Sequence, residues 1–268
     1  MEDIGETLNG NVVNPALSKL FTITAAPVEL GEEKKDKYHS ISAKLLRVMK
    51  RSRPKLETSV SFLCTRVQDP TEEDWGELRR ALNFVKATKD DKMIMSTHNF
   101  PKLETWVDAS YTVHDKNMRE HTGGCMYFGW GIVHGKASKQ KLNTKSSAES
   151  ELIGVSEYIP YKIHLINLLI GQGRKMKKRV LYHENESSIC MENNGQHSCT
   201  GNSRHNSVTN FFVKDRVDKG EFVIEHCPPK SMLVDYFAIP HTESSGYGLG
   251  TSGHASKLNS SSLIHSHR

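Results

Sequence analysis

The sequence predicts an α/β domain built on one central sheet, with a small helical subdomain before it. Apolar residues recur at helical spacing in three consecutive segments before residue 90. From Lys102 the pattern changes, and up to about residue 240 it runs strand, strand, strand, helix, strand, helix, strand, helix. Strands alternating with helices are typical of a sheet that carries helices on its faces.

The composition limits the classes of function. The chain has 268 residues, 36% of them hydrophobic, and a net charge of +5, which suits a nucleic-acid partner but also an ordinary slightly basic protein. Its five cysteines are irregularly spaced and form no CxxC pair, which indicates a reducing compartment and disfavours disulfides or structural zinc. No apolar run approaches the ~20 residues of a membrane span. We therefore expect a soluble intracellular protein, in cytoplasm or nucleus, without a membrane partner; its oligomeric state stays open.

The helical subdomain is predicted over residues 37–100, after a loose lead-in over residues 1–36. Pro54 ends the first helix and suits the first turn of the second. The third helix begins at "TEED", which starts at Thr71 and has the pattern of a capping box. The apolar stripes that define the three helices are Ile41, Leu45, Val48 and Met49, then Leu56, Val60, Leu63 and Val67, and finally Trp75, Leu78, Leu82 and Val85.

The first half of the sheet region, which as a whole spans residues 102–240, is predicted to contain three strands and a long helix. Two strands are expected in "LETWVDASYTVH" and "GGCMYFGWGIVHGKASK", with Gly123–Gly124 as turn material between them, and a third in "KLNTKS". The helix is "SAESELIGVSEYIPYKIHLINLLIGQG". Pro160 should kink or split it, and Gly171 and Gly173 should end it.

The second half of this region is predicted to add two strands and two helices. The strands are "KRVLYHENESS" and "EFVIEHCPP", and the helices are "NSVTNFFVKDRVDKG" and the short apolar "SMLVDYFAI". Residues 241–268 are rich in Ser, Gly and His and have no periodicity, so we expect a disordered tail.

Four acidic residues fall at the ends or edges of these apolar elements. A carboxylate in such a place is unfavourable unless it is paired or holds a metal. Converging carboxylates are the oxygen ligands that Mg²⁺ prefers. Two ions roughly 3.5–4 Å apart activate a water and stabilise the leaving oxygen of a phosphodiester. For each residue singly, a surface or paired carboxylate is the alternative interpretation. The four residues are Asp108, Glu151, Glu184 and Asp235.

Five segments, in this order, resemble the ribonuclease H domain of copia-type retrotransposon Pol polyproteins. They are "VDASYTVH", "HTGGCMYFG", "SKQKLNTKSSAESEL", "ENESSI" and "MLVDYFAIP". The preceding "AKLLRVMKRSRPKLETSVSFLCTRVQDPTEEDWGELRRALNFVKAT" is similar to the connection segment that this family carries between its polymerase and its ribonuclease H. The resemblance covers residues 37–240, and the chain looks like the C-terminal piece of such a polyprotein.

The resemblance implies an RNase H-like fold, a five-stranded mixed sheet flanked by helices and preceded by the small helical subdomain. It also implies an endonuclease that uses two Mg²⁺ ions, or Mn²⁺, to hydrolyse the RNA strand of an RNA–DNA hybrid. A reverse transcriptase domain supplied elsewhere is the implied protein partner. The catalytic and metal-binding positions that match are Asp108, which would bridge both ions, Glu151, with Glu149 as second choice, Glu184 and Asp235.

Glu184 departs from the family, which has aspartate in this "DN" pair. The added methylene moves the carboxylate by roughly 1.5 Å. Functional sites tolerate about 0.5 Å, and a 1 Å displacement can lower the rate ~10²-fold. The alternative function is therefore a decayed, weak or inactive RNase H fold that acts at most as a nucleic-acid-binding module.

Four lysines near the predicted site alternate with polar residues. Lysine side chains give sequence-independent affinity for phosphates, so we expect these residues to contact the nucleic-acid backbone. They are Lys136, Lys139, Lys141 and Lys145.

Overall fold

The computed structural model describes residues 5–17, 19–22, 26–92, 102–114, 119–129, 131–144, 146–176, 178–194 and 207–234. Within these ranges the helices are α1 (Glu32–Ser52), α2 (Glu57–Cys64), α3 (Glu72–Ala87), α4 (Ser147–Gly171), α5 (Glu186–Asn194) and α6 (Ser207–Asp218). The strands are β1 (Lys102–His114), β2 (Arg119–Phe128), β3 (Gly131–Lys139), β4 (Lys178–His183) and β5 (Val223–His226). None of the helices in these ranges has the length and apolar character needed to cross a bilayer.

The five strands form one mixed sheet in the order β3-β2-β1-β4-β5. The first three strands of the chain pair antiparallel. β4 then pairs parallel with β1 and β5 parallel with β4, each after a helical connection. The predicted five-stranded mixed sheet, flanked by helices and preceded by a helical region, is confirmed.

Apolar clusters pack against the sheet on both sides. One cluster joins the sheet to α4, and its members include Leu103, Val107, Leu152, Ile159 and Leu181. Another gathers Trp106, Tyr127, Cys227, Met232 and Val234. Side chains on a strand alternate between faces, so neighbours such as Trp106 and Val107 enter different clusters.

Lys162 on α4 forms hydrogen bonds to two strands from within the core. Its ammonium group is fully buried and donates to Thr105 Oγ1 on β1, at 2.9 Å, and to the carbonyl oxygen of Val180 on β4. Burial holds the pKa of this lysine well below its usual value. The two hydrogen bonds fix the position of α4 along the sheet.

The helical subdomain has its own core, formed by α1, α2 and α3. The N-terminus of α3 is closed by the predicted capping box, in which Thr71 Oγ1 accepts from the Asp74 N–H and Asp74 Oδ2 accepts from the Thr71 N–H. Leu8, from the predicted lead-in, is buried in this core. The buried side chains include Tyr38, Leu45, Leu56, Leu63 and Leu78.

Contacts reach the sheet from α2 and from the segment before α1. The Glu57 carboxylate on α2 is buried; it accepts from the Ala137 N–H on β3 at 3.1 Å and from the ammonium group of Lys50. The ring of Phe21 lies 5.0 Å, centroid to centroid, from the imidazole of His121 on β2. The division into residues 1–36, 37–100, 102–240 and 241–268 stays a prediction.

The predicted positions of the second and third strands were wrong. Gly123 and Gly124 lie inside β2, paired with β1, and the chain reverses near Gly129, whose φ is +71°. The third strand is β3 and ends before the "KLNTKS" segment. Gly124 serves close packing instead of a turn, because a Cβ atom there would overlap the ring of Tyr158 on α4.

The helices after β3 differ from the prediction at two points. α4 is continuous through Pro160, which is exposed, and it ends at Gly171 as predicted. α5 was not predicted; its capping residue is Asn185, whose Oδ1 accepts from the Ser188 N–H at 3.1 Å. The predicted helix "SMLVDYFAI" and the predicted tail lie mostly or wholly outside the described residues.

Candidate active site

Asp108 and Glu151 meet where α4 begins beside the middle strand of the sheet. Asp108 is half-buried on β1, opposite Gly123 of β2. The next residue, Ala109, donates its N–H to Glu151 Oε2 at 3.0 Å. Glu151, and not the neighbouring Glu149, is thus the acid whose carboxylate accepts this hydrogen bond from β1. The two acids therefore adjoin, and their role in a metal site stays a prediction.

The start of α4 is held tightly against β2. Gln140 is fully buried, and its Nε2 donates to Thr122 Oγ1 at 2.9 Å and to the Ser150 carbonyl at 2.8 Å. A Cβ atom at Gly154 would lie only 3.1 Å from Thr122 Cγ2, so the absence of a side chain permits this close approach. These contacts place Glu151 at a fixed distance from the sheet.

Burial and the neighbouring charges act on the ionisation of Asp108, and the charges act in opposite directions. Burial, followed by the charge of Glu151 and the hydrogen bond that protonated Asp108 donates to it, raises the pKa of Asp108 to about 8. His183 lowers this pKa, and the charge of Glu184 raises it. A divalent cation between these carboxylates would remove the repulsion, and their oxygens are suitable ligands for Mg²⁺.

Glu184 interacts with the pair at longer range. Glu184 follows the end of β4, is half-buried, and reaches Asp108 through its charge. Asp235 lies outside the described residues, directly after Val234, which packs in the cluster of Trp106. In the part of the chain that the structure describes, no three His, Cys, Asp or Glu side chains converge closely enough to hold a metal ion.

His183 and Glu192 adjoin the site and were not predicted. His183, at the end of β4, is fully buried, with Nε2 3.0 Å from Glu151 Oε2 and Nδ1 3.7 Å from Glu192 Oε2. Burial, opposed by His183, raises the pKa of Glu192 to about 7. The one sequence signal for His183 was strand alternation, which places it on the same face of the sheet as Leu181. Glu192 had no such signal, because α5, the helix that carries it, was not predicted.

The predicted phosphate-binding lysines lie beside α4, as far as they are described. The Lys136 ammonium group is 4.9 Å from the centroid of the Tyr161 ring. Lys136 and Lys141 both act on Glu157 of α4 and lower its pKa against the larger raising effect of burial. Lys139 ends β3, and Lys145 lies outside the described residues. Glu157 is six residues, or about 9 Å of helix, beyond Glu151.

The fold and the acidic pair define a mixed-sheet α/β protein with a candidate cation site. The chain is similar to the retrovirus-related Pol polyprotein from transposon RE2 of Arabidopsis thaliana, at 24% identity over 191 residues, or 70% of this chain and 13% of the relative. It is also similar to the uncharacterized mitochondrial protein AtMg00810 of the same plant, at 26% identity over 106 residues, or 40% of this chain and 44% of the relative. The predicted resemblance to copia-type Pol polyproteins is confirmed, and the chain spans about 13% of the length of the transposon relative.

No family model matches the chain. Among solved structures it is similar to LC11-RNase H1, isolated from compost, at 11% identity and a TM-score of 0.39, covering 52% of this chain and 96% of that one. It is also similar to the prototype foamy virus protease-reverse transcriptase, at 13% identity and a TM-score of 0.32, covering 90% of this chain and 29% of that one.

Proposed function

We propose that this chain is a ribonuclease H-type endonuclease that hydrolyses the RNA strand of an RNA–DNA hybrid with a divalent cation. The observation that carries the proposal is the Asp108–Glu151 pair, two adjoining acids at the junction of β1 and α4. Burial, followed by the charge of Glu151, raises the pKa of Asp108 to about 8. Similarity to retrovirus-related Pol polyproteins supports it. The perturbed pKa of a group close to other acids is typical of functional sites.

In this proposal Asp108 and Glu151 hold the cation, with Mg²⁺ first and Mn²⁺ as a substitute, and Glu184 and Asp235 complete a site for two ions. When bound, the cation would lower the pKa of the attacking water and neutralise charge on the phosphate. Asp108 must lose its proton for the cation to bind. The hydrogen bonds from Ala109 and His183 keep Glu151 in place during this change.

The hybrid would be held through its phosphates. Lys136, Lys139, Lys141 and Lys145 are the proposed contacts. Lys136 and Lys141 support this proposal, because both act on Glu157 of α4, the helix that carries Glu151. Such contacts bind without regard to sequence and weaken steeply with salt. A reverse transcriptase domain from another chain is the proposed protein partner, since the transposon relative named above is a retrovirus-related Pol polyprotein.

A second candidate function is a binding module that no longer cuts. Glu184 supports it, because the longer side chain displaces a carboxylate by roughly 1.5 Å from the position an aspartate would give. The weak convergence of acids within the described ranges also supports it. This candidate predicts salt-sensitive binding of the hybrid with no cleavage in Mg²⁺ or Mn²⁺.

The test is cleavage of a hybrid labelled on its RNA strand, with Mg²⁺ or Mn²⁺, by the parent chain and by Asp108→Asn. We expect the substitution to lower cleavage at least ~10²-fold, because it removes a carboxylate from the reaction centre, while binding of the hybrid persists. Asp218→Asn is the matched control, since Asp218 is exposed and pairs with Lys214 on α6. Equal cleavage by parent and Asp108→Asn would refute the assignment of Asp108.

A further inference from the structure

Two buried ionisable residues beside the acidic pair have no part in holding a cation. The side chains of His183 on β4 and Glu192 on α5 are each 0% exposed. Burying groups of this kind is unfavourable unless hydrogen bonds or opposite charges compensate it. Their contacts with Glu151 and with each other indicate their role.

The first observation concerns one oxygen of Glu151. Oε2 accepts from the Ala109 N–H at 3.0 Å and lies 3.0 Å from His183 Nε2. Both contacts fall on the same oxygen, so together they fix the rotation of the carboxylate about its terminal bond. For His183 to contribute, its Nε2 must carry the proton, because a carboxylate oxygen only accepts.

The second observation concerns the other edge of the imidazole. Within the described residues, neither His183 Nδ1 nor Glu192 Oε2 has a hydrogen-bond partner, and the two atoms face each other at 3.7 Å. If the two atoms moved slightly closer, one hydrogen bond between them would give both a partner. Ser188 Oγ donates to the second Glu192 oxygen, Oε1, at 3.4 Å and keeps that carboxylate aligned with the ring.

We propose that His183 and Glu192 are positioning residues that fix the orientation of the Glu151 carboxylate toward Asp108 and the bound cation. The inference rests on the proposed function. Glu192 holds the imidazole, the imidazole holds Oε2 of Glu151, and neither residue touches substrate or cation. Groups that orient a metal ligand in this way change metal affinity by about 10–100-fold when they are substituted.

The test is calorimetric titration of the full chain with Mn²⁺, for the parent and for three substitutions of His183. His183→Gln places an amide N–H near the position of imidazole Nε2, whereas the shorter His183→Asn reaches only the position of Nδ1, and His183→Leu donates nothing. We expect the leucine and asparagine variants to bind Mn²⁺ about 10–100-fold more weakly than the parent, and the glutamine variant to bind close to the parent.

His134→Leu is the matched control. His134 is a partly buried histidine that also contacts α4, with Nδ1 2.9 Å from the Tyr158 hydroxyl. Tyr158 lies further along α4 than Glu151. Substitution of His134 should leave Mn²⁺ affinity unchanged. Parent-like affinity in His183→Leu would overturn the proposal. If the leucine variant does not fold, equal affinity of the glutamine and asparagine variants would overturn it instead.

A second measurement needs no metal. The imidazole nitrogen resonances of His183 in the metal-free chain should show a proton on Nε2, and that signal should move in Glu151→Gln. The Nδ1 signal should move in Glu192→Gln. Failure of the parent to bind Mn²⁺ would refute the proposed function but not the contact between His183 and Glu151, which the resonances test separately. A proton on His183 Nδ1 and none on Nε2 would overturn the positioning role.

Discussion

At Asp108, burial and charge both act against ionisation. The residue is half-buried beside Glu151, and its pKa rises to about 8 as a result. An ionised carboxylate in this place destabilises the metal-free fold. The same feature makes the site receptive to a cation, so stability and function are opposed at this one side chain.

This opposition predicts how Asp108→Asn changes stability with pH. Because the folded pKa of about 8 exceeds the ordinary pKa of 3.8 for an aspartate, the folded state binds more protons than the unfolded state between these pH values. The free energy of unfolding therefore falls as pH rises through that window. Each pKa unit corresponds to about 1.4 kcal/mol, or roughly 3–5 °C in Tm for a protein of this size.

In metal-free buffer the asparagine variant should melt above the parent at pH 8, and the difference should shrink toward pH 4. Thermal melts at several pH values measure this directly. A parent that is as stable as Asp108→Asn at pH 8 would show that the carboxyl group is not held in its protonated form.

The sequence pattern singled out Asp108 and Glu151 as candidate site residues but not His183 and Glu192. The difference lies in the segments that surround each residue. The first two lie in segments whose apolar pattern makes a charge conspicuous. His183 ends a strand in which a histidine is unremarkable, and Glu192 lies on α5, a short helix with few apolar residues. Only the tertiary contact between β4 and α5 brings the two side chains behind Glu151.

At the scale of elements, the packing of α4 on β2 depends on Gly124. A Cβ atom there would overlap the ring of Tyr158, whose hydroxyl forms a hydrogen bond with His134. Gly124→Ala should therefore lower the free energy of unfolding by about 1–3 kcal/mol through overpacking. Gly76→Ala, in α3 with open space around it, should raise it by up to about 1 kcal/mol. Urea unfolding of the two variants checks both signs, and a neutral Gly124→Ala would contradict the close packing.

Most elements followed from periodicity, and the errors have a common cause. The helical stripes of α1 to α4 and the apolar strand β4 are patterns that burial imposes on sequence. Gly123–Gly124 misled because glycine is used both for turns and for close approach, and the sequence alone does not separate these uses. The parallel pairing of β4 with β1 has no local signature, and the resemblance implied only that the sheet is mixed.

At the scale of the whole molecule, Glu57 connects the helical subdomain to the sheet. Its buried carboxylate accepts from Ala137 N–H and Lys50, and burial raises its pKa. Glu57→Ala leaves a buried N–H without its acceptor and should lower the free energy of unfolding by about 1–3 kcal/mol. Glu57→Gln keeps an acceptor oxygen and should lower it less. Equal losses in the two variants, measured by urea unfolding, would exclude this hydrogen bond as the connection.

Cleavage of an RNA–DNA hybrid by the parent and by Glu184→Asp, with each strand labelled in turn and in Mg²⁺, distinguishes an enzyme from a binding module. We expect both proteins to cut the RNA strand and leave the DNA strand intact. Glu184→Asp should be faster, by up to ~10²-fold for a displacement of this size. Binding of the hybrid without cleavage by either protein would contradict the proposed activity, and cleavage by Glu184→Asp alone would establish this chain as a binding module inactivated by one methylene.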